Sequence, residues 1–536
     1  MGLIGIKNVK IVDGTGGPSY LGDVLIDGEE ISGVLPTNSL HYLEDEEDVM
    51  IIDGSGRVLT PGFIDTHSHS DLEILEDPYL EPKIRQGITS EILGQDGISM
   101  APLPKEFIYD WQRNISGLDG SSKNISWEYE TIDNYLKMIE DSQSCSNSGY
   151  LIPHGNVRLQ VLGFEEEDPT PIEIQEMKEI VRDGMESGCL GLSSGLIYIP
   201  CAYSKEEELV ELCKVVADYD GVFVVHQRSE AGQILKSMDE IIRIGLKSGV
   251  KIHFSHFKIC GKRNWKLLNK VLGKLDLAKA KGVQVSFDMY PYTAGSTMLS
   301  AILPPWMHVG GTYDMLKRLN DYGIRRMLRK ELKKNYTKWD NFVSFAGMEG
   351  IYITNVGSAA NENVIGLNLV ELGKMKKMNP FEATFDLLID EKNEVGMIDY
   401  YGYEEHLKTF IKREEMNGCT DGLLGGKPHP RAYGAFPKII HKYVNEEQVI
   451  TLEEAIHKFC GKPAQLFGLK GRGIIKDGYF ADLLLIDELK IKDKGTYLNP
   501  KQFPEGIEMV MVNGAIVFDG HNNYKTSSGK VLRRHS

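Results

Sequence analysis

The stretch Pro61-Gly62-Phe63-Ile64-Asp65-Thr66-His67-Ser68-His69 is a short apolar run that ends in two imidazoles two residues apart. In an extended chain residues i and i+2 share a face, so His67 and His69 converge on one point, and paired imidazoles are a standard ligand set for a divalent metal. Three more polar residues end apolar runs in the same manner: Asp96 after Ile92-Leu93, His226 after Val222 to Val225, and His256 after Ile252 to Ser255. Taken singly, each is more often a hydrogen-bonded core or turn residue. Their shared position at strand ends points to a metal site. Asp421, in Cys419-Thr420-Asp421-Gly422, ends another such run. Alone it reads as a turn aspartate, but beside a metal-activated water a carboxylate can take a proton and return it to a leaving group. His253 falls three residues before His256 and is expected on the other face, packed against helices. His154 is ambiguous, and His429 reads as support for its neighbours.

Something must bring these residues together. From Gly62 onward, β-type runs alternate with amphipathic segments such as Pro171 to Ser187, Lys205 to Tyr219 and Glu230 to Ser248. The expected strands are Gly62 to Asp65, Thr89 to Leu93, Gly149 to Ile152, Leu190 to Leu192, Val222 to Val225, Val250 to Phe254, Val283 to Phe287 and Gly418 to Thr420. Eight strands alternating with helices predict an α/β fold, a (β/α)8 TIM-like barrel whose chemistry sits at the C-terminal ends of the strands. Both chain ends carry short apolar runs broken by Asp13-Gly14, Asp27-Gly28, Asp53-Gly54 and Asp477-Gly478, a hairpin texture. The expected division is a small β-sandwich domain from 1–60 with 470–522, a barrel over 61–469 and a tail at 523–536. An insertion over the barrel mouth is expected at about 295–361, where Pro304-Pro305-Trp306 and the basic run Met315 to Lys334 break the rhythm. The acidic run Glu44 to Asp48 reads as a solvated loop.

The chain has 536 residues and 60 basic against 77 acidic side chains, a net charge of −17. That balance disfavours nucleic acid, whose binding depends on Lys and Arg releasing counterions. It leaves room for an anionic small molecule held by a few local cations. No run approaches the ~20 apolar residues of a membrane span, and the first residues lack the layout of a secretory leader. Seven cysteines without CxxC spacing suit reduced thiols in the cytoplasm. The expected partner is a small-molecule substrate, with no nucleic acid and no membrane.

The set His67-x-His69, His226, His256 and Asp421 on successive strands, with the split terminal domain, resembles the metal-dependent amidohydrolase superfamily. Within it the chain is most similar to the N-acyl-D-amino acid deacylases, or D-aminoacylases. The likeness lies in Gly191-Leu192-Ser193-Ser194-Gly195-Leu196-Ile197-Tyr198, Ser255-His256-Phe257-Lys258, Tyr290-Pro291-Tyr292-Thr293-Ala294-Gly295-Ser296-Thr297 and His429-Pro430-Arg431-Ala432-Tyr433-Gly434, and it covers nearly the whole chain. The resemblance implies a tightly held zinc bound by Asp96, His226 and His256. It implies a second, weaker position formed by His67, His69 and Asp421, with Asp421 as general base. Lys258, Tyr290, Ser296 and Arg431 match residues that hold the carboxylate of the amino-acid product, and Tyr198 matches a tyrosine that stabilises the tetrahedral intermediate. The family pattern carries cysteine where this chain has Asp96. Aspartate binds zinc at ~2.0–2.2 Å against ~2.3 Å for thiolate, and its harder oxygen opens the site to other divalent metals.

The implied activity is hydrolysis of the amide bond of N-acyl-D-amino acids, giving a D-amino acid and a carboxylate. Two other readings stand beside it: a cyclic-amide hydrolase resembling hydantoinases or dihydroorotases, and a non-catalytic scaffold on the same fold. The first usually bridges two metals with a carboxylated lysine from the fourth strand, and Gly188 to Ser194 holds no lysine. An acidic D-amino acid would need an extra cation in the side-chain pocket, for which Lys262 and Arg263 are available.

Overall fold

The computed structural model describes residues 2–534 except 44, 45, 47, 121 and 123, so Glu44, Asp45 and Glu47 of the acidic run lie outside the described residues. Eight parallel strands form one sheet in chain order: Phe63–Asp65, Ile88–Leu93, Asn147–Pro153, Gly191–Gly195, Val222–His226, Lys251–Phe254, Val285–Met289 and Met416–Gly418. Seven overlie the runs read from the sequence, and the eighth, Met416–Gly418, meets the expected Gly418 to Thr420 at Gly418 alone. Alternation along the fifth strand shows how they are used. Phe223 and Val225 join the core beneath the surrounding helices, whereas Val222 and Val224 face inward with Ile64, Ile92, Leu151 and Leu190. Phe467, Leu469 and Leu532 belong to that inner cluster, so the N-terminal end of the barrel is plugged and its open end is the opposite one.

The seam between the first and last strands carries His67, His69 and Asp421. Thr66 Oγ1 donates to Gly418 O (3.0 Å) and Asp421 N donates to His67 O (2.8 Å), while Ser68 bridges Gly422. Beneath the seam sits Lys83, fully buried on the short helix Glu81–Ile84. Its ammonium donates to Asp65 Oδ2 (2.8 Å), Ser68 Oγ (2.7 Å) and Thr420 Oγ1 (2.9 Å) and lies 3.1 Å from Glu91 Oε2. One cation thus ties the first, second and eighth strands. A buried charge is tolerable only when paired and hydrogen-bonded in this way.

The two termini build one sheet. Leu3–Ile11 pairs with Tyr20–Asp27, Val49–Asp53 and Val58–Pro61, and Val58–Pro61 pairs antiparallel with Leu483–Ile486 from the far end of the chain. The expected sandwich takes the form of a single hydrogen-bonded sheet around its own core, which includes Ile6, Val24, Leu59, Leu483 and Met511. Leu484, Ile486 and Val510 on the other face join the barrel core. The segment after residue 523 runs along the barrel floor: Leu532 N donates to Ser148 O (2.8 Å) and Arg534 N to Gly188 O (2.9 Å).

The excursion between the seventh and eighth strands runs further than 361. Ala294–Met298, Ile351–Val356 and Val395–Tyr400 form an antiparallel sheet with the last strand in the middle, so the unit extends to Tyr400. Its later helices, Leu369–Met375 and Pro380–Asp390, imitate the rhythm of a barrel unit, which is why the sequence suggested an earlier end. The basic run falls on two helices, Gly311–Asn320 and Tyr322–Leu332, parted at Asp321, whose side chain accepts from Ile324 N (2.9 Å). The unit has its own core around Met315, Leu328, Leu372 and Phe385. No described helix is long and apolar enough to cross a membrane, and all seven cysteines are buried and unpaired.

Replacing Lys83 by methionine would leave Asp65 and Glu91 buried without their cation. Lys83→Met is expected to cost about 3–5 kcal/mol and to lower the thermal midpoint by several degrees in calorimetry. An unchanged midpoint would mean that the seam stands without the ammonium.

Candidate metal centre

At the open end of the barrel, His67 Nε2 and His69 Nε2 lie 3.3 Å apart. Asp96 Oδ2 is 3.8 and 3.7 Å from them, and Asp421 Oδ1 is 3.8 and 3.4 Å away. The other Asp96 oxygen faces a second pair: Oδ1 is 3.6 Å from His256 Nε2 and 4.0 Å from His226 Nδ1. Three overlapping groups therefore have ligand atoms within 4.8 Å of one another: His67, His69 and Asp96; Asp96, His226 and His256; and His67, His256 and Asp421. All are buried. Among the described residues His67 Nδ1, Asp96 Oδ1 and both ring nitrogens of His226 have no hydrogen-bond partner. Buried lone pairs gathered without partners fit a cation, and an all-nitrogen-and-oxygen donor set suits zinc and harder divalent ions alike.

Second partners aim these rings. Asp119 Oδ1 lies 3.2 Å from His69 Nδ1, a contact that places the proton on Nδ1 and bare Nε2 toward the centre, while His256 Nδ1 accepts from Lys258 Nζ (2.7 Å) with Glu230 Oε1 3.3 Å away. Asp288 Oδ2 lies 3.7 Å from His67 Nδ1, and Asp288 Oδ1 accepts from His256 N (2.5 Å). Burial pulls His226 down to about 3, so it is a neutral imidazole at pH 7. Burial would also lower His69, but its contacts with Asp119 and Asp421 carry it up to about 9. The carboxylates thus make this end of the site attractive to positive charge. Burial would raise Asp421, yet Arg431 and His67 outweigh it and hold the carboxyl well below its ordinary range.

The backbone is bent to achieve this. Asp96 (φ 55°), His256 (φ 35°) and Asp421 (φ 47°) all adopt left-handed conformations, which L-residues reach only at a cost and which gather at functional sites. Ser193 braces the Asp96 turn from both sides: its hydroxyl donates to Gly94 O and accepts from Gly97 N (3.0 Å). The turn at His256 also corrects the expectation for His253. Because the strand ends at Phe254, its alternation does not carry through to His256. Ile252 and Phe254 face the helices, and His253 points into the barrel, where its ring meets Ser286 Oγ (2.8 Å) and Asp288 Oδ2 (2.8 Å).

A cavity beside the centre is lined by Tyr198, Lys258, Tyr290, Ser296 and Arg431 together with Asp96, His226, His256 and Asp421. Arg431 Nη1 pairs with Asp421 Oδ2 (2.8 Å), its Nη2 donates to Ser296 O (3.1 Å), and its guanidinium lies 4.4 Å over the Tyr290 ring. Lys258 Nζ pairs with Glu230 Oε2 (2.7 Å). Tyr198 contacts the His226 ring at 5.4 Å, and its hydroxyl meets Thr297 Oγ1 (2.9 Å). The Ser296 hydroxyl donates to Met397 O (2.9 Å), so it is Ser296's backbone, not its hydroxyl, that engages Arg431. His429 accepts from Arg431 N at Nδ1 (3.0 Å), the supporting part read for it. Lys262 and Arg263 are exposed and line a separate outer recess with Asn335 and Tyr336. Glu230, Asp119 and Asp288 were not singled out from sequence. Asp288 had the same signal as Asp96, a polar residue ending an apolar strand, whereas Asp119 ends a helix and carries no local mark.

Comparison with known proteins places this geometry. Residues 50–325 and 418–518 match the amidohydrolase family. A D-aminoacylase of Alcaligenes xylosoxydans xylosoxydans is 29% identical over 98% of this chain and 96% of its own length. An N-acyl-D-glutamate deacylase of the same organism is 29% identical over 99% of this chain and 96% of its own. The crystal structure of the N-acyl-D-glutamate deacylase from Bordetella bronchiseptica, complexed with zinc and a phosphonate mimic of the tetrahedral intermediate, superposes with a TM-score of 0.81 at 27% identity over 99% of both chains.

His154 has a different place. Its Nε2 meets Glu208 Oε1 (2.8 Å) and its Nδ1 meets Ser194 Oγ (2.9 Å), and Glu208 also pairs with Arg158. Burial would lower the imidazole, but its contacts with Cys201 and Glu208 carry it up to about 9. A folded-state value above that of the unfolded chain gives stability that is complete below about 6.5 and fades as pH rises through about 9. His154→Gln is expected to flatten the fall in thermal midpoint across that window; an unchanged slope would assign it elsewhere.

Proposed function

The chain belongs to the amidohydrolase family, and on that footing we propose that it hydrolyses the amide bond of N-acyl-D-amino acids, releasing a D-amino acid and a carboxylate. The observation that carries the proposal is the meeting of Asp96, His67, His69, His226, His256 and Asp421 beside a cavity that also holds Lys258 and Arg431. Relatives similar over nearly the whole chain bear the names D-aminoacylase and N-acyl-D-glutamate deacylase. The ion is zinc, one held tightly by Asp96, His226 and His256, with a second, weaker position at His67, His69 and Asp421. The oxygen donor at Asp96 also admits other divalent ions. When bound, the ion supplies Lewis-acid polarisation and a water acidified toward neutrality.

The protein's own groups do the rest. Asp421 takes the proton of the attacking water and passes it to the departing nitrogen. Arg431 holds Asp421 Oδ2, which keeps the carboxylate ionised and leaves Oδ1 turned to the centre. Tyr198 lies on the cavity wall beside His226 and donates to the oxyanion of the tetrahedral intermediate. The α-carboxylate is held by Lys258, Arg431 and the Tyr290 hydroxyl, and the Arg431 Nε–H, which has no partner among the described residues, is one donor for it. Fixing both the carboxylate and the acyl amide selects one enantiomer. The substrate is a small molecule, and neither nucleic acid nor membrane is a partner. We place the chain in the cytoplasm, the compartment that suits seven unpaired cysteines.

The fourth strand, Gly191–Gly195, carries no lysine, which weighs against the cyclic-amide alternative. The decisive assay compares N-acetyl-D-amino acids, their L-enantiomers and a hydantoin with added zinc, manganese or cobalt. Turnover of the D-series alone is expected; hydantoin turnover alone would reverse the reading. Asp421→Asn is expected to retain bound metal by elemental analysis while kcat falls by about 10²–10⁴-fold. Near-normal turnover in that variant would remove Asp421 as the base. Chelation should abolish activity, and one of the added ions should restore it.

A further inference from the structure

The cavity beside the centre is lined by five acids, Asp96, Glu230, Asp340, Asp399 and Asp421, and by two permanent cations, Lys258 and Arg431. Both cations are committed, Lys258 to Glu230 and Arg431 to Asp421. Asp340 accepts from Ser229 Oγ (2.5 Å) and Glu230 N (2.6 Å), and Asp96 faces the imidazoles. Asp399 is different. It is 2% exposed, and among the described residues its Oδ2 has no hydrogen-bond partner. Burial pushes its carboxyl up to about 7 against the pull of Lys258 and Arg431, a penalty that a partner cation would relieve.

Its placement shows where such a partner would come from. Asp399 lies on the middle strand of the insertion sheet, paired with Gly295. A methyl group on Gly295 would lie 3.2 Å from Asp399 Oδ1, 3.0 Å from the Tyr401 ring and 3.6 Å from the Tyr290 hydroxyl. These groups therefore converge tightly on Gly295, which keeps a side chain of the protein's own from crowding Asp399. A D-amino acid has three heavy substituents on Cα. On the deacylase reading, on which this step rests, the acyl amide faces the metal ligands and the carboxylate faces Lys258 and Arg431. The side chain is left the insertion wall that bears Asp399.

We infer that Asp399 sets the side-chain specificity of this site by pairing with a cationic side chain, so that the preferred substrates are N-acyl derivatives of basic D-amino acids such as lysine, ornithine and arginine. An acidic side chain finds no spare cation, because Lys262 and Arg263 stand in the outer recess. A charge-assisted pair in a desolvated pocket separates matched from unmatched substrates by about 10–100-fold.

The test compares kcat/KM for N-acetyl-D-lysine, N-acetyl-D-leucine and N-acetyl-D-glutamate on the zinc-loaded full chain and on the near-isosteric variant Asp399→Asn. The wild type is expected to prefer the lysine substrate by about tenfold or more. The variant should lose that preference, the ratio of lysine to leucine kcat/KM falling by about tenfold toward unity. A preference that survives in the variant, or a wild type that favours leucine or glutamate, overturns the assignment. Should no N-acyl-D-amino acid be hydrolysed, the deacylase reading fails separately. Calorimetric binding of free D-lysine and D-leucine then decides on Asp399: D-lysine binding that vanishes in the variant sustains its role, and equal binding of both ends it.

Discussion

Two imidazole nitrogens 3.3 Å apart, with carboxylate oxygens of Asp96 and Asp421 within 3.4 to 3.8 Å, cannot all keep bare lone pairs in an interior that water does not reach. In a low-dielectric site the repulsion among them is strong, and positive charge must lie between. The surroundings reinforce the demand. Asp119 and Asp288 approach the far sides of His69 and His67, so these two rings are polarised with their electron-rich nitrogens toward the centre, while His256 is fixed on its far side by Lys258 and Glu230. The arrangement makes sense as a cradle for a divalent ion, and the rest of the molecule can be understood as what holds the cradle against its own repulsion.

That holding is distributed. Left-handed backbone at Asp96, His256 and Asp421 is unfavourable locally and persists only where the surroundings fix it. For Asp96 the restraint is Ser193, whose hydroxyl grips Gly94 and Gly97 on either side of it. For Asp421 it is the seam: the residue before it, Thr420, bonds to Asp65 and Lys83, and Asp421 N donates to His67 O. The same Lys83 ammonium reaches Asp65 below His67. Closing the barrel and aligning the first and last site residues are therefore one operation carried out by one buried cation.

The strands are legible where they carry an unbroken apolar stretch, as Val222 to Val225 does, the pattern of a sheet covered on both faces, and less so at Gly191–Gly195 and Met416–Gly418, where serine, asparagine and glycine intervene. The site was legible for a related reason: where an apolar strand stops at the barrel mouth, a polar residue such as His226 stands out. Sequence pattern misleads where the backbone breaks alternation. Counting back from His256 puts His253 on the helix side, and the left-handed turn at His256 invalidates the count. Local pattern is also silent where a residue reaches the site from outside the strands. Asp119 arrives from a helix and Asp399 from the insertion, and nothing in their immediate neighbours predicts it. The extent of the insertion was misread because its helices after Val356 repeat the barrel's rhythm, and only pairing across the sheet reveals that Val395–Tyr400 belongs with Ala294–Met298.

This origin of Asp399 bears on how the site is built. Every candidate metal ligand comes from the barrel or the turns that end its strands, and these are locked by seam, floor and helix packing. Tyr290 and Arg431, which meet across the cavity, flank the insertion rather than belong to it. The insertion has its own core and lends the cavity Ser296, Asp340 and Asp399. A core of its own allows that unit to change without disturbing the barrel packing, since distant and independently packed sites act nearly additively. The metal ligands thus stand on the barrel and Asp340 and Asp399 on the insertion, so the charge that faces a substrate side chain can change on the insertion sheet while the metal ligands keep their places.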